Sequence, residues 1–192
     1  MLIEFRVKNF LSFESEEIFD MVAGKGRNFN ERVYKNKSFK ILKFASLFGG
    51  NGSGKSNFVK AIAFSRDYIV RGNDRTILQN YFKLNPESKE IPSKFEYKIK
   101  INDRIYTYGF EVVLSKNDII SEWLVCSNSR NDEYIYKHNR AEKDFELGRY
   151  FKNNNLRNKL QLYADGLDSS NHTLFLKTIN QYNNLYSVHE EA

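Results

Sequence analysis

The feature that most constrains this chain is a run of glycines at residues 49–56, which reads Gly-Gly-Asn-Gly-Ser-Gly-Lys-Ser. It fits the pattern G-x-x-x-x-G-K-S, in which backbone N–H groups point inward from a tight turn and hold phosphate groups. Side chains would block that approach, which accounts for glycine at positions 49, 50, 52 and 54. The pattern predicts a nucleoside triphosphate site in this chain of 192 residues.

The last two residues of the pattern have defined roles. Lys55 is expected to place its ammonium group against the β- and γ-phosphates, and Ser56 to offer its hydroxyl group to Mg²⁺. Both stand at the first turn of an expected helix, whose positive end attracts anions.

The loop lies between a predicted strand and a predicted helix. Residues 41–48 are mostly apolar and end at Gly49, as expected for a strand that is buried on both faces of a mainly parallel sheet. A helix is predicted from about 54 to 70, with Gly72 as its C-cap. Apolar or small residues recur on one face of this helix at Phe58, Ala61, Ile62, Ser65 and Ile69.

The remaining sequence divides into blocks of different character. Residues 1–71 form the nucleotide-binding core, and residues 72–93, which hold both prolines, form an irregular connection. Residues 94–147 alternate apolar with polar side chains, which predicts an antiparallel β block that starts with a hairpin. Residues 148–192 are expected to be helical, with one helix at 150–163 and a second, capped by Ser169 and Ser170, that runs through residues 174–182. The run Asn153-Asn154-Asn155 is expected to be a loop. The fold class is therefore α/β, a single lobe with a mainly parallel core, an antiparallel meander and C-terminal helices.

The first 37 residues predict two strands followed by a loop. Residues 2–8 alternate apolar with charged side chains and predict a strand, not a signal peptide. A second strand is expected around residues 16–21, and residues 24–37 are expected to form an exposed loop.

The net charge limits which partners the chain can bind, and the cysteine content indicates the redox state of its compartment. The formal net charge is +6, which permits contact with nucleic acid without showing it. The densest basic stretch precedes the loop. Its members are Lys35, Lys37, Lys40 and Lys43. No run of residues is long and apolar enough to cross a membrane, and the single cysteine, Cys126, fits a reducing cytoplasm.

Two stretches carry a family resemblance. The form Gly-x-Asn-Gly-Ser-Gly-Lys-Ser-Asn at residues 49–57 resembles ABC-type ATPases of the SMC, RecF and overcoming-lysogenization-defect kind. Residues 5–13, Phe-Arg-Val-Lys-Asn-Phe-Leu-Ser-Phe, are similar to the N-terminal strand and turn that lie beside the nucleotide in that group. With residues 82–84, 92–95 and 106–109 added, the chain is similar to bacterial AAA15-type ATPases, many of them linked to abortive infection and phage defence.

The resemblance implies an ABC-type N-terminal lobe that binds ATP with Mg²⁺, and Ser56 as the metal ligand. It implies the nucleotide-binding residues Gly49, Gly50, Asn51, Gly52, Ser53, Gly54, Lys55, Ser56 and Asn57. The implied partners are the C-terminal lobe or a second ATPase subunit in a homodimer, with a nuclease and DNA as further candidates. A glutamine that senses Mg²⁺ would be Gln161 or Gln181, and Asn9 and Ser12 are weak candidates for a ribose or phosphate contact.

The same resemblance shows what the chain lacks. The family also uses a signature motif, an apolar run that ends in Asp-Glu (Walker B), and a switch histidine, and none of these patterns occurs in the sequence. No catalytic residue is therefore assigned, and ATP hydrolysis is expected only in a complete protein. The alternative is a nucleotide-switched component of a defence system that binds nucleic acid or a nuclease. A third alternative is a self-contained small kinase or GTPase. It would need an acidic metal-binding strand or a base-specificity motif, and we find neither in the sequence.

Overall fold

A seven-stranded antiparallel sheet forms the centre of the molecule, and its strand order is β2-β1-β5-β6-β7-β8-β9. The computed structural model describes residues 1–24, 30–35, 40–72, 79–127, 132–168 and 172–187. The strands of the large sheet are β1 (Leu2–Lys8), β2 (Glu17–Asp20), β5 (Ser93–Ile101), β6 (Arg104–Val113), β7 (Asp118–Ser127), β8 (Asp132–Asn139) and β9 (Asp144–Leu147).

The other elements lie around this sheet. Strands β3 (Val33–Lys35) and β4 (Lys40–Leu42) form a separate two-stranded sheet. The helices are α1 (Lys55–Arg71), α2 (Asn154–Asp168) and α3 (Phe175–Ser187), and short 3₁₀ turns occur at Asn30–Arg32 and Pro86–Lys89.

The inner face of the sheet packs on α1 through aromatic side chains. Alternation along β5 and β6 places Phe95 and Phe110 on this face, where both are fully buried. On α1, Phe64 and Tyr68 are four residues apart and therefore lie on the same side of the helix. Tyr68 stacks on Phe110 with 5.3 Å between ring centroids and 9° between planes. This packing fixes the axis of α1 on the sheet.

A buried carboxylate joins α3 to the sheet. Glu122 on β7 is fully buried and accepts hydrogen bonds from the hydroxyls of Tyr108 (3.0 Å) and Tyr136 (2.7 Å). It also accepts the first backbone N–H groups of α3, from Phe175 (2.6 Å) and Leu176 (2.9 Å). Burial, reinforced by the charge of Glu122, raises the pKa of both tyrosines well above its usual value, so both phenols remain hydrogen-bond donors.

The prediction of a parallel core strand at residues 41–48 is wrong. Of the apolar run at residues 41–48, the strand β4 includes only Ile41 and Leu42, and it pairs antiparallel with β3. Residues 43–48 form no strand, and Phe44 and Phe48 are 67% and 90% exposed. All strand pairings in the described part of the chain are antiparallel. A strand needs a neighbour for its backbone N–H and C=O groups, and none of the described strands pairs with residues 43–48.

The other sequence expectations meet mixed outcomes. The N-terminal strand, the hairpin of β5 and β6, and helix α1 with Gly72 as its C-cap are confirmed; the Gly72 N–H donates to the Tyr68 carbonyl at 3.0 Å. The prediction of an exposed loop at 24–37 is wrong in part because that range contains β3. The loop at 153–155 is also wrong in part, since α2 begins at Asn154 and the Asn153 side chain accepts from the Asn155 N–H. Residues 169 and 170 lie outside the described residues.

Within the described residues, no helix is long and apolar enough to cross a membrane.

Replacing the buried carboxylate provides a test of this architecture. Glu122→Gln turns one acceptor oxygen into an N–H donor that faces hydrogen-bond donors, and removes the negative charge that lies 3.9 Å from Nη2 of Arg140. We expect a loss of about 3–5 kcal/mol in the free energy of unfolding in urea. The matched control is Glu111→Gln on β6, where the half-buried carboxylate accepts from the Ser121 hydroxyl and the expected loss is about 1 kcal/mol. Equal losses in both variants would contradict the role of Glu122.

Candidate functional site

The glycine-rich loop lies at the N-terminus of α1, on the surface of the molecule. Helix α1 begins at Lys55, and Gly54 is its N-cap with a φ of 89°, in the left-handed region. The preceding loop residues 49–53 are all exposed. The first turn of α1 contains no acidic residue, so no side chain of that turn neutralises the positive end of the helix. This terminus can therefore accept an anion.

The ammonium of Lys55 lies inside the turn of the loop. Its Nζ donates to the carbonyls of Gly49 (2.6 Å) and Gly50 (2.7 Å), and lies 3.2 Å from the Ser53 hydroxyl. Each of these acceptors is neutral, and a phosphate oxygen would form a stronger charge-assisted bond with the same ammonium. The loop thus presents a cation at its centre, close to where its glycines leave room for a ligand.

The other predicted loop residues differ in exposure. Asn51 and Ser56 are exposed, whereas Asn57 is half-buried. The Ser56 hydroxyl lies on the first turn of α1, beside the loop. Among the described residues, no group of three or more His, Cys, Asp or Glu side chains could hold a metal ion. A metal at this loop would therefore not be held by such a cluster, and Ser56 offers it a hydroxyl ligand on the first turn of α1.

A cavity of about 270 Å³ adjoins the loop. One wall is polar and consists of Ser53, Gly54 and Lys55. The remaining walls are mainly apolar and consist of Phe13, Ile18, Phe19, Leu47, Phe48 and Phe58, with Glu17 as a charged member. A small number of polar groups in an otherwise apolar cavity is typical of small-molecule sites, although this one is slightly below their usual size.

The N-terminal turn forms part of this site. A Cβ atom on Gly54 would lie 3.6 Å from the Phe13 ring and 3.6 Å from the Ser12 hydroxyl. The turn at residues 9–13 is therefore packed against the phosphate loop. Ser12 is exposed there, so a ligand bound at the loop could contact its hydroxyl.

Asn9 does not have the role considered for it from the sequence. It is 2% exposed, and its side-chain amide donates to the carbonyls of Ser88 and Ile91. A direct contact with a ribose or a phosphate is excluded because both N–H groups of the amide are used inside the protein.

Neither candidate glutamine lies at the loop cavity. Gln161 on α2 donates to Asp165 at 2.9 Å and lines a separate cavity with Arg157, and Gln181 is exposed on α3. Sequence reasoning also missed the aromatic walls contributed by Phe19, Phe48 and Phe58. Phe19 reaches the cavity through the pairing of β1 with β2, whereas Phe48 and Phe58 flank the loop in sequence on the preceding segment and on α1. Phe13 could have been found from its place in the N-terminal motif.

One family model matches this chain. It is described as "AAA domain, putative AbiEii toxin, Type IV TA system", and it matches residues 44–177, well over half of the chain. The matched region includes the whole loop, α1 and the sheet from β5 to β9. No curated protein shows a significant match.

The left-handed backbone at Gly54 gives a test of the loop geometry. Gly54→Ala should lower the free energy of unfolding by about 1–2 kcal/mol, because an L-residue is disfavoured at this φ. Gly166→Ala, in the exposed part of α2 with open space around its Cβ position, should raise it by about 0.5–1 kcal/mol. Thermal or urea unfolding measures both values. The same sign of change in both variants would contradict the loop geometry.

Proposed function

This chain belongs to the AAA-type P-loop ATPase family, and from that premise we propose that it is the ATP·Mg²⁺-binding N-terminal lobe of an ABC/SMC-type, RecF-like ATPase. The observation that carries the proposal is the position of Lys55, whose ammonium lies inside a glycine-rich turn at the positive end of α1. A triphosphate is the ligand whose charge and size fit such a turn.

The proposed binding mode uses every part of the site. The loop N–H groups and Lys55 hold the β- and γ-phosphates, and Ser56 contributes a hydroxyl ligand to Mg²⁺. The nucleoside lies in the apolar cavity beside Phe13 and Phe58. The proposed nucleotide-binding set remains residues 49–57.

Hydrolysis needs groups beyond this set. Phosphoryl transfer to water requires a positioned water molecule in addition to the metal and the phosphate cradle. Glu17 is the one carboxylate among the described residues that line the cavity, and it is exposed on the edge strand β2. We therefore propose that signature and Walker B motifs come from a C-terminal lobe and that two such heads associate around ATP.

Exposed apolar side chains support a missing partner lobe. Phe44 and Phe48 precede the loop at 67% and 90% exposure, and Val59 and Val70 on α1 are 60% and 68% exposed. These four side chains lie on α1 and on the segment before its loop, where an additional lobe would cover them. In this proposal residues 1–71 are the nucleotide-binding core, and the β block and the C-terminal helices complete one lobe. A role in phage defence or abortive infection is proposed because the description of the matching family names a toxin of a toxin–antitoxin system.

Nucleotide binding by the 192-residue chain tests the proposal. Lys55→Ala should weaken ATP binding about 10- to 100-fold, because it removes charge-assisted hydrogen bonds to phosphate. Lys60→Ala, one turn further along the exposed side of α1, is the matched control and should bind as the wild type does. Isothermal titration calorimetry with ATP and Mg²⁺ measures both, and a phosphate-release assay should show negligible turnover.

Two results would count against this function. Equal ATP affinity in the wild type and in Lys55→Ala would remove the loop as the binding site. Steady ATP turnover by the pure chain, abolished in Lys55→Ala, would show that no second lobe is needed.

A second candidate function rests on the small sheet. In the pairing of β3 with β4, Lys35 lies directly opposite Lys40, and like charges in this arrangement destabilise a pair of strands. Arg32 and Lys43 are close in sequence to the same hairpin, so its positive charge is concentrated. A phosphodiester backbone would relieve this repulsion. The candidate is a nucleotide-switched component of a defence system that contacts nucleic acid, with a nuclease as its partner.

Filter binding to duplex DNA across a salt series tests this candidate. If Lys40 contacts a phosphate, Lys40→Ala should weaken binding to all sequences and reduce the slope of log K against log[salt] by about 1. Lys83→Ala, at an exposed lysine on the irregular connection, should leave the slope unchanged. A wild-type chain with no salt-dependent DNA binding would exclude this function.

A further inference from the structure

Asn9 occupies a strained and fully enclosed position behind the phosphate loop. It follows the last residue of β1, its φ of 50° is left-handed, and it is 2% exposed. A non-glycine residue in this backbone region is uncommon, and asparagine is among the residues that tolerate it best. The conformation persists because surrounding bonds hold it.

Those bonds connect Asn9 to a segment distant in sequence. Its Nδ2 donates to the carbonyls of Ser88 and Ile91, both at 2.8 Å, and its Oδ1 accepts the Phe82 N–H at 3.1 Å. The Asn9 carbonyl accepts the Ser93 hydroxyl at 2.5 Å. One buried side chain thus gathers three backbone groups of residues 82–91 around the end of β1.

The turn that follows Asn9 is closed and held in the core. Phe10 and Phe13 exchange two backbone hydrogen bonds of 2.9 Å, and the Leu11 N–H donates to the Asn80 carbonyl at 2.6 Å. The fully buried Phe10 ring stacks on Phe64 of α1 at 5.1 Å. The front of the turn then meets the loop, where Phe13 and Ser12 lie against Gly54.

We propose that Asn9 is a positioning residue for the nucleoside half of the bound nucleotide. It acts through the Phe10–Phe13 turn, because its hydrogen bonds fix where the Phe13 ring stands as a wall of the loop cavity. This inference rests on the nucleotide-binding function proposed above.

The two halves of the ligand depend on different parts of the protein. The phosphates are held by the loop N–H groups and by Lys55, which belong to α1 and its preceding turn. None of the hydrogen bonds of Asn9 reaches that loop. The nucleoside instead contacts Phe13, whose position depends on Asn9. Loss of the Asn9 side chain should therefore weaken binding of ATP and leave binding of a bare triphosphate nearly unchanged.

A comparison of two ligands tests this division. Calorimetry with Mg²⁺ gives the dissociation constants of ATP and of inorganic tripolyphosphate for the full chain and for two variants. Asn9→Gly keeps the left-handed backbone accessible and removes only the side-chain bonds. The matched control, Asn102→Gly, changes an exposed asparagine with the same φ of 50° in the turn between β5 and β6.

We expect Asn9→Gly to weaken ATP binding about tenfold or more and tripolyphosphate binding by less than about twofold. Asn102→Gly should change neither. Equal weakening of both ligands would assign Asn9 to the stability of the whole site and overturn the proposal, as would unchanged ATP affinity. If the wild type binds ATP and tripolyphosphate with equal affinity, the nucleoside contributes nothing to binding and the proposal is overturned. The phosphate site would still be supported by that result. A wild type that binds neither ligand would refute the proposed function itself.

If the circular dichroism spectrum shows that Asn9→Gly does not fold, Phe13→Ala decides the question. This variant removes the ring at the far end of the turn and leaves the Asn9 bonds in place. The same separation between ATP and tripolyphosphate is expected, and its absence would overturn the proposal.

Discussion

The packing of α1 on the inner face of the sheet is the constraint on which the rest of the structure depends. Phe64 and Tyr68 of α1 meet Phe95 and Phe110 of the sheet at centroid distances of 5.2–5.3 Å. Aromatic pairs of this kind add about 0.5–1.5 kcal/mol each beyond the area that they bury. Because the phosphate loop leads directly into α1, this contact determines where the loop stands and which way the positive end of the helix points. The neighbouring N-terminal turn uses the same cluster through Phe10, so loop and turn share one support.

The C-terminal end of α1 is tied to neighbouring elements by polar contacts. Near its C-terminus the Tyr68 hydroxyl donates to Asn117 at 2.9 Å, and the Lys177 ammonium of α3 donates to the Arg71 carbonyl. Helix α3 is held in turn by Glu122, whose carboxylate accepts its first backbone N–H groups. A buried carboxylate is costly unless it is fully hydrogen-bonded. Here Oε1 accepts three hydrogen bonds, and Oε2 accepts the Phe175 N–H and lies 3.9 Å from Nη2 of Arg140. The apolar contact thus sets the direction of α1, and the polar contacts limit its sliding along the sheet.

Sequence reasoning succeeded where the signal is local. The helix after the loop, its C-cap at Gly72 and the hairpin around Asn102 follow from spacing and turn chemistry, and each is present in the structure. It failed where a property belongs to two distant segments. The apolar run before the loop indicates burial, but whether it forms a strand depends on a neighbouring strand that no local pattern reveals. Asn9 shows the same limit at the site, since its three partners lie more than 70 residues away and only the fold shows that its amide is used internally. The loop at 49–57 is a motif that can be read directly from the sequence, whereas Phe19 reaches the wall of the cavity only through the pairing of β1 with β2.

Apolar surface remains exposed around α1. Beside its C-terminal half, a groove of about 500 Å³ is lined by apolar side chains of α1, the sheet and α3, among them Ile69, Ile99, Tyr106 and Leu176. Beside its N-terminal half, Phe44 and Phe48 lie exposed before the loop. A helix that packs fully on one face and still borders apolar surface on other sides is typical of an element that becomes central once further structure is added. Among the described residues, the loop offers a cation and backbone N–H donors for phosphate, and the one carboxylate that lines its cavity is Glu17. The uncovered apolar surface and the phosphate loop therefore border the same helix, and under the function proposed above a second lobe beside α1 would cover that surface.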